Sequence, residues 1–423
     1  MATSLKREST KTQCCITGGG PAGMMAGFLL ARAGIDVLVL EKHRDFLRDF
    51  RGDTIHPSTL EVMRELGLLD SLLRRPHQEV DQIGAQVGKF SVTVGDFSHL
   101  PTTCKFVALM PQWDFLNFLA ERGRELPGFH LRMETEAVDL IRDGEMIRGV
   151  RARTPSGELE VDAGLIIAAD GRNSLVREKA GLEVEVLGAP IDVLWMRISR
   201  RAETDPRQTG VRVDRGTLFV TLDRGDYWQC AYVIPKGGID EVRRQGIEHF
   251  RQLIVQIAPY FADRVHELRD WEDVKLLSVA VDRLKRWYRD GLLCIGDAAH
   301  AMSPVGGIGI NLAIQDAVAA ANILAPAFGD GKIPTKRLKA VQDRRMFPTR
   351  ATQRLQILVQ NRVLAPALNS GRPIRSLPWP LKLLNSWPVL RRIPARIVGI
   401  GFRAEHVETP AIGERATKAM AQS

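Results

Sequence analysis

Gly18, Gly20 and Gly23 stand in the order Gly-x-Gly-x-x-Gly, and eighteen residues beyond Gly23 comes Glu41. That spacing suits a phosphorylated dinucleotide. The first glycine permits a tight turn, the second lets a pyrophosphate come close to the backbone, and the third lets a helix pack against its strand. Pro21 and Ala22 open that helix, whose free N–H groups and positive dipole end attract phosphate. A carboxylate at Glu41 accepts hydrogen bonds from ribose hydroxyls and repels a 2′-phosphate, which fits FAD or NAD and disfavours NADP at this position.

A second cluster, GDAAHAMSPVGGIGIN, separates those two cofactors. Gly296 and Asp297 follow an apolar strand, where Asp297 can accept a hydrogen bond from a polyol hydroxyl. Pro304, Gly306, Gly307 and Gly309 make a loop whose backbone can approach a flat ring, and Asn311 lies in the first turn of the helix that follows. The positive end of that helix is aimed at the ring, where it would stabilise an anionic reduced flavin. Both clusters together favour FAD.

The elements that must carry these residues follow from pattern. TQCCITGGGPAGMMAGFLLARAGIDVLVLEKH reads as strand (Gln13 to Thr17), glycine turn, helix ending at Gly34, and strand (Ile35 to Leu40). The second strand is apolar throughout, as a parallel strand covered on both faces should be. Further apolar strands at Leu165–Ala169 and Leu292–Ile295 lie far along the chain, so one α/β, Rossmann-like domain is assembled from three segments: 1–75, 105–185 and 285–345. The intervening 76–104 and 186–284 predict a mainly antiparallel substrate-binding sheet domain, and 346–423 a helical C-terminal region. In the sheet, Trp228, Cys230 and Tyr232 share one face, and Trp228 and Tyr232 are candidate substrate residues. Packing within the sheet is the competing role.

These motifs resemble those of the para-hydroxybenzoate hydroxylase family of flavoprotein monooxygenases. GGGPAG with Glu41 is similar to its ADP-binding fingerprint, AADGRNSLVRE to its DG motif, and GDAAHAMSPVGGIGIN to its GD motif. The first is shared with many flavoproteins, whereas the ordered trio is specific. The resemblance implies that Asp297 binds the ribityl chain, that Gly307 to Asn311 face the isoalloxazine ring, and that Asp170 supports both FAD and the nicotinamide donor. It further implies that Arg51 reaches the pyrophosphate, that Gln112 contacts the flavin, and that the Val138 backbone meets the adenine. The implied reaction is monooxygenation: NADH or NADPH reduces FAD, and a flavin hydroperoxide formed with dioxygen hydroxylates or epoxidises an aromatic or other electron-rich small molecule. No second glycine fingerprint is present, so the nicotinamide is expected to bind without its own Rossmann unit. No catalytic acid or base is singled out.

Other classes are disfavoured by particular residues. The halogenase signature Trp-x-Trp-x-Ile-Pro is missing, the nearest stretch being YWQCAYVIP; an FAD-dependent reductase of isoprenoid double bonds and a non-catalytic flavin carrier remain as rivals. His300 is expected to be structural, and Cys14 and Cys15, on opposite faces of one strand, to be core. The five cysteines form no Cys-x-x-Cys pair or zinc-like cluster, so no metal and a reducing, cytoplasmic setting are expected. The net charge is +9, but Lys and Arg alternate with Asp and Glu along most of the chain, which argues against nucleic acid. SLPWPLKLLNSWPVLRRIPARIVGIGF mixes tryptophan with basic residues, as interfacial segments do. Prolines at 378, 380, 388 and 394 interrupt any long helix, and the favoured reading is a segment packed over its own protein rather than a membrane contact. Substrate identity and oligomeric state stay open.

Overall fold

A computed structural model describes residues 6–47, 54–206, 209–330 and 332–411 of the chain. Five parallel strands form its organising layer: β1 (Lys6–Thr17), β2 (Val37–Leu40), β3 (Phe129–Arg132), β4 (Gly157–Ala168) and β5 (Leu292–Cys294), side by side in the order β5-β4-β1-β2-β3. The chain leaves β1 toward β2 on one side and reaches β4 on the other. Such a reversal leaves a crevice at the carboxyl ends of the two strands, where open α/β sheets bind ligands. β1 is longer than the sequence pattern indicates. Its polar first half, through Thr12, pairs with Gly157–Ala163 of β4, which is also paired to Met146–Thr154, and this ladder extends a strand that apolar residues alone mark only from Gln13.

Helix α1 (Pro21–Arg32) connects β1 to β2 and is buried from Ala22 to Ala31. It lies against α3 (Gln112–Arg124) and against α4 (Gly309–Leu324), while α2 (Pro57–Glu65) packs on α4. Helix α4 is apolar enough to cross a membrane by composition, yet it is 83% buried along its most apolar stretch, with Leu312, Ile314, Ala317, Val318 and Ala321 in the core. It is a core helix.

A second sheet of seven strands is mainly antiparallel. Its order is Lys275–Leu277, Ile191–Ser199, Tyr227–Pro235, Thr217–Asp223, Gly210–Asp214, Gln82–Val87 and Phe90–Asp96, with one parallel pair where Gly210–Asp214 meets Gln82–Val87. One face packs against the helix Ile247–Ile257 through Phe250 and Ile254, and against Phe261 just beyond it. The other packs through Val193, Leu218, Ala231 and Val233 against Val305 of the glycine loop. This second face is the one turned toward the candidate active site.

The long helix α5 (Thr335–Val359) braces the same loop, and the chain then continues into α6 (Trp379–Ser386) and α7 (Arg392–Gly399). As the sequence leads one to expect, this last part packs over the protein, with Leu377 against Val87 and Val92, and Ala395 against Phe97 and Leu100. Only one edge of it does so. Trp379 and Trp387 remain 73% and 60% exposed.

Candidate active site

The crevice begins where β1 ends. Gly18 has φ +102°, and a side chain there would run into Ala169 at the end of β4; one at Gly23 would run into the carbonyl of Gly18. These two glycines are demanded by packing. Gly20 differs, since nothing among the described residues lies within 4 Å of the position its Cβ would take. It is the N-cap of α1, which has no side-chain cap and no acidic residue in its first turn, so the amides of that turn are available to an anion. Ala22 in the same turn is buried and faces Gly296 across the crevice, which a Cβ on Gly296 would close to 2.9 Å.

Glu41 is buried at the end of β2. Its Oε2 accepts from the Gly19 amide at 2.9 Å, and its Oε1 lies 3.0 Å from the His43 amide and 2.6 Å from His43 Nδ1. The carboxylate therefore also ties the glycine turn to the second strand. Beyond it an open groove of about 650 Å³ is lined by Lys42, His43, Arg44 and Glu136 among others, and the Glu41 carbonyl accepts from the Thr135 amide at 2.8 Å. Val138 follows on the strand Glu136–Asp143 and is half-buried. Gln112 is half-buried at the first turn of α3, and Arg51 lies outside the described residues.

On the β4 side, Asp170 accepts from Ser174 Oγ at 2.5 Å and from the Val176 amide at 3.3 Å. Burial pushes its carboxyl above the usual carboxylate range, against the pull of these hydrogen bonds and of Arg177. Its visible work is to shape the DG turn, in which Gly171 has φ +88°. Asp297 is about one-third exposed, 3.7 Å from Arg172.

The second glycine loop closes the far end. Gly306 and Gly307 adopt φ +82° and +64°, and a side chain on Gly307 would strike Thr54 Oγ1. Pro304 accepts the Gly307 amide at 3.0 Å, while the Gly307 carbonyl accepts from Thr54 Oγ1 at 3.0 Å and lies 3.1 Å from His56 Nε2. Gly309, at the start of α4, again has open space among the described residues in its Cβ direction, and α4 has neither a side-chain cap nor an acidic residue in its first turn. Asn311 is 1% exposed; its Oδ1 accepts from both Ser58 and Thr59 at 2.7 Å, and its Nδ2 has no partner among the described residues. A buried amide with an unmet donor calls for an acceptor. These features fit an FAD: an uncapped helix end for its phosphates, and a second, with a spare donor, for its ring.

Trp228 and Tyr232 are misplaced by the sequence reading. Both project into the face covered by Ile247–Ile257, away from the glycine loop, where the Trp228 indole donates to Asp205 at 2.7 Å and Tyr232 packs edge-on against Phe250. The residues do alternate between the two faces, but period two cannot say which face meets the site. His300 and the Cys14–Cys15 pair are structural, as expected. His300 Nε2 lies 2.6 Å from the buried Asp316, and burial raises both thiols well above the usual range.

Sequence reasoning missed the support beneath the loop. Asp316 on α4 accepts from the Gly296 amide at 3.1 Å and from Arg345 Nε at 2.9 Å, and Arg345 reaches Glu405 at 3.2 Å. From α5, Gln356 donates to the Ser303 and Val305 carbonyls at 3.0 and 2.9 Å, and Gln360, just past its end, to Ser303 Oγ at 2.7 Å. Gln353, Gln356 and Gln360 recur at helical spacing, the one signal in the sequence that could have revealed them.

The family model described as FAD binding domain matches residues 11–355. The chain belongs to the para-hydroxybenzoate hydroxylase-like family of FAD-dependent monooxygenases. It is 33% identical over 398 residues to 6-methylpretetramide 4-monooxygenase of Streptomyces rimosus, covering 92% of this chain and 93% of that one. It is 27% identical to digeranylgeranylglycerophospholipid reductase 2 of Methanothermobacter thermautotrophicus, over 79% and 83% of the two chains. The structure of OxyS anhydrotetracycline hydroxylase from Streptomyces rimosus superposes with a TM-score of 0.73 at 22% identity, over 92% of this chain and 76% of that one, and so shares the fold. This member of the family is an oxidoreductase whose cofactor is FAD.

Proposed function

We propose that this enzyme uses NADH or NADPH and dioxygen to hydroxylate or epoxidise an aromatic or other electron-rich small molecule. The observation that carries the proposal is the pair of uncapped helix N-termini, α1 opened by Gly20 and α4 by Gly309, facing one crevice at the carboxyl ends of β1, β4 and β5. Bound there, FAD would supply the redox chemistry, taking up hydride and activating dioxygen.

The chain's own part is binding and exclusion of water. The first-turn amides of α1 would hold the pyrophosphate, Glu41 the adenosine ribose, and Asp297 the polyol. The N-terminus of α4 and Asn311 Nδ2 would offer positive potential and a donor to the ring, favouring its reduced, anionic form. The substrate would lie on the ring side of the glycine loop, which the sheet face carrying Val193, Leu218, Ala231 and Val233 backs with a dry, apolar core that disfavours water. A relative named for oxygenating 6-methylpretetramide supports an aromatic substrate.

A second reading is reduction of isoprenoid double bonds, favoured by the archaeal reductase among the relatives. One assay separates the two. FAD-loaded protein is given NADH or NADPH with phenols, polycyclic aromatics, quinolones or isoprenoid lipids under labelled dioxygen. Label in the product supports the proposal. A product that gains hydrogen and no label supports the reductase, and tight FAD binding with no substrate-stimulated turnover would indicate a carrier.

A further inference from the structure

The C-terminal helices hold a basic, apolar ridge away from the protein. Between Asp343 and Glu405 the sequence has twelve Arg or Lys and not one Asp or Glu, so this stretch more than accounts for the net charge of +9, and the rest of the chain is net acidic. Trp379, Leu383 and Trp387 are spaced by four residues and form one stripe along α6; Val389 and Ile393 continue it into α7. All five are exposed, the least at 43%. Lys382, Arg392 and Arg396 beside them are exposed too, and none makes an ion pair with a described carboxylate.

The opposite edge of this segment is fixed. Leu377 and Leu381 pack on Val87, Val92 and Phe90, Ala395 is completely buried, and Arg391 ties the end of α6 through the Leu384 carbonyl at 2.9 Å. The ridge is thus a preformed surface whose apolar stripe faces water, an exposure that burial against an apolar phase would relieve. Aromatic residues flanked by unpaired cations suit the boundary between lipid headgroups and acyl chains, where tryptophan partitions and anionic lipid meets Lys and Arg.

We propose that this ridge docks the protein on the surface of an anionic lipid bilayer. The position serves the active site. Val398 of α7 packs against Met302, Ile308 and Leu312 beside the glycine loop, and its carbonyl is 2.8 Å from His56 Nδ1. A docked ridge therefore sets the ring end of the crevice close to the bilayer, from which a lipophilic substrate can enter. The charge of the stretch favours anionic lipid over a second copy of the same ridge, which would bring like charges together.

The test is co-sedimentation of the FAD-loaded full chain with vesicles of phosphatidylcholine alone and of phosphatidylcholine mixed with phosphatidylglycerol, at low and high salt. The unaltered protein should bind only the phosphatidylglycerol vesicles, and less at high salt. The double variants Trp379→Ser/Trp387→Ser and Lys382→Glu/Arg392→Glu should each weaken binding by at least about tenfold. Both should keep the melting temperature and FAD content of the unaltered protein, since these side chains are exposed. If the unaltered protein ignores anionic vesicles, or if either variant binds as well as it does, the proposal is overturned. A dimer in analytical ultracentrifugation that the tryptophan variant dissolves would assign the ridge to a second copy instead and would equally overturn it.

Discussion

Asp316 Oδ1 lies 2.9 Å from Arg345 Nε, both side chains essentially excluded from water, directly beneath the Gly296 amide that Asp316 also holds. Burial by itself would raise the Asp316 carboxyl, but His300 and Arg345 outweigh it and keep it below the usual carboxylate range. Its folded-state pKa is therefore depressed. The stabilisation is present above an unfolded value of about 3.9 and is lost as pH falls through the folded value, so acid unfolding should begin below about pH 4. Arg345→Met leaves Asp316 charged and without its guanidinium, and should cost about 3–5 kcal/mol, read as a lower denaturation midpoint. Asp316→Asn/Arg345→Met removes both charges and should recover part of that loss. Equal stability of the single variant and the parent would show that the pair does not support the loop.

The two kinds of glycine at the first turn should separate in experiment. Gly20→Ala places a methyl group at φ −74° where no described residue lies within 4 Å, so the apoprotein should unfold as the parent does. That space is where the pyrophosphate would come, and FAD affinity should fall by about tenfold or more, equivalent to about 1.4 kcal/mol. Gly23→Ala puts its methyl within 1.9 Å of the Gly18 carbonyl and should destabilise the apoprotein itself. Calorimetry of apoprotein unfolding and fluorescence titration with FAD give the two readouts. If Gly20→Ala binds FAD like the parent, the cradle is misassigned.

What the sequence shows and what it hides follow from range. The turn from Gly18 to Gly23, the acidic end of β2 and the loop from Pro304 to Gly309 are legible because each requirement is local: a positive φ, an uncapped helix, a strand end. Register across the long first ladder is less so. The polar run Lys6–Thr12 becomes strand only because β4 arrives from some 150 residues away. The buried bridge from Asp316 through Arg345 to Glu405 joins three segments, and nothing near any of these residues announces the other two. The sheet face is a third case: Trp228 and Tyr232 alternate correctly, yet only the packing of Ile247–Ile257 decides that their face is the covered one.

That assignment can be tested directly. Trp228 donates to Asp205, which also pairs with the buried Arg264. Trp228→Phe keeps most of the ring and deletes the donor, leaving a buried carboxylate with one hydrogen bond fewer. A loss of about 1–3 kcal/mol of stability should follow, with kcat/KM per folded molecule unchanged. A raised KM at full stability would return Trp228 to the substrate site and reverse the placement of the two faces.

His56 joins α2, the glycine loop and α7, with Nδ1 2.8 Å from the Val398 carbonyl and Nε2 3.1 Å from the Gly307 carbonyl. Burial lowers its pKa to about 4, against the pull of the two carbonyls. The ring is therefore neutral in the folded protein down to a pH at which the unfolded chain, with a histidine pKa of about 6.5, is already protonated. Protons bind the unfolded state more readily, so stability is complete above about pH 6.5 and declines as pH falls toward 4, by on the order of 3 kcal/mol from this residue. His56→Gln keeps a donor for a carbonyl and cannot titrate. Urea midpoints measured from pH 7.5 to pH 5 should fall more steeply for the parent than for His56→Gln. Parallel curves would mean that the protonation of His56 does not govern this window, and that the link from α7 to the glycine loop is insensitive to pH.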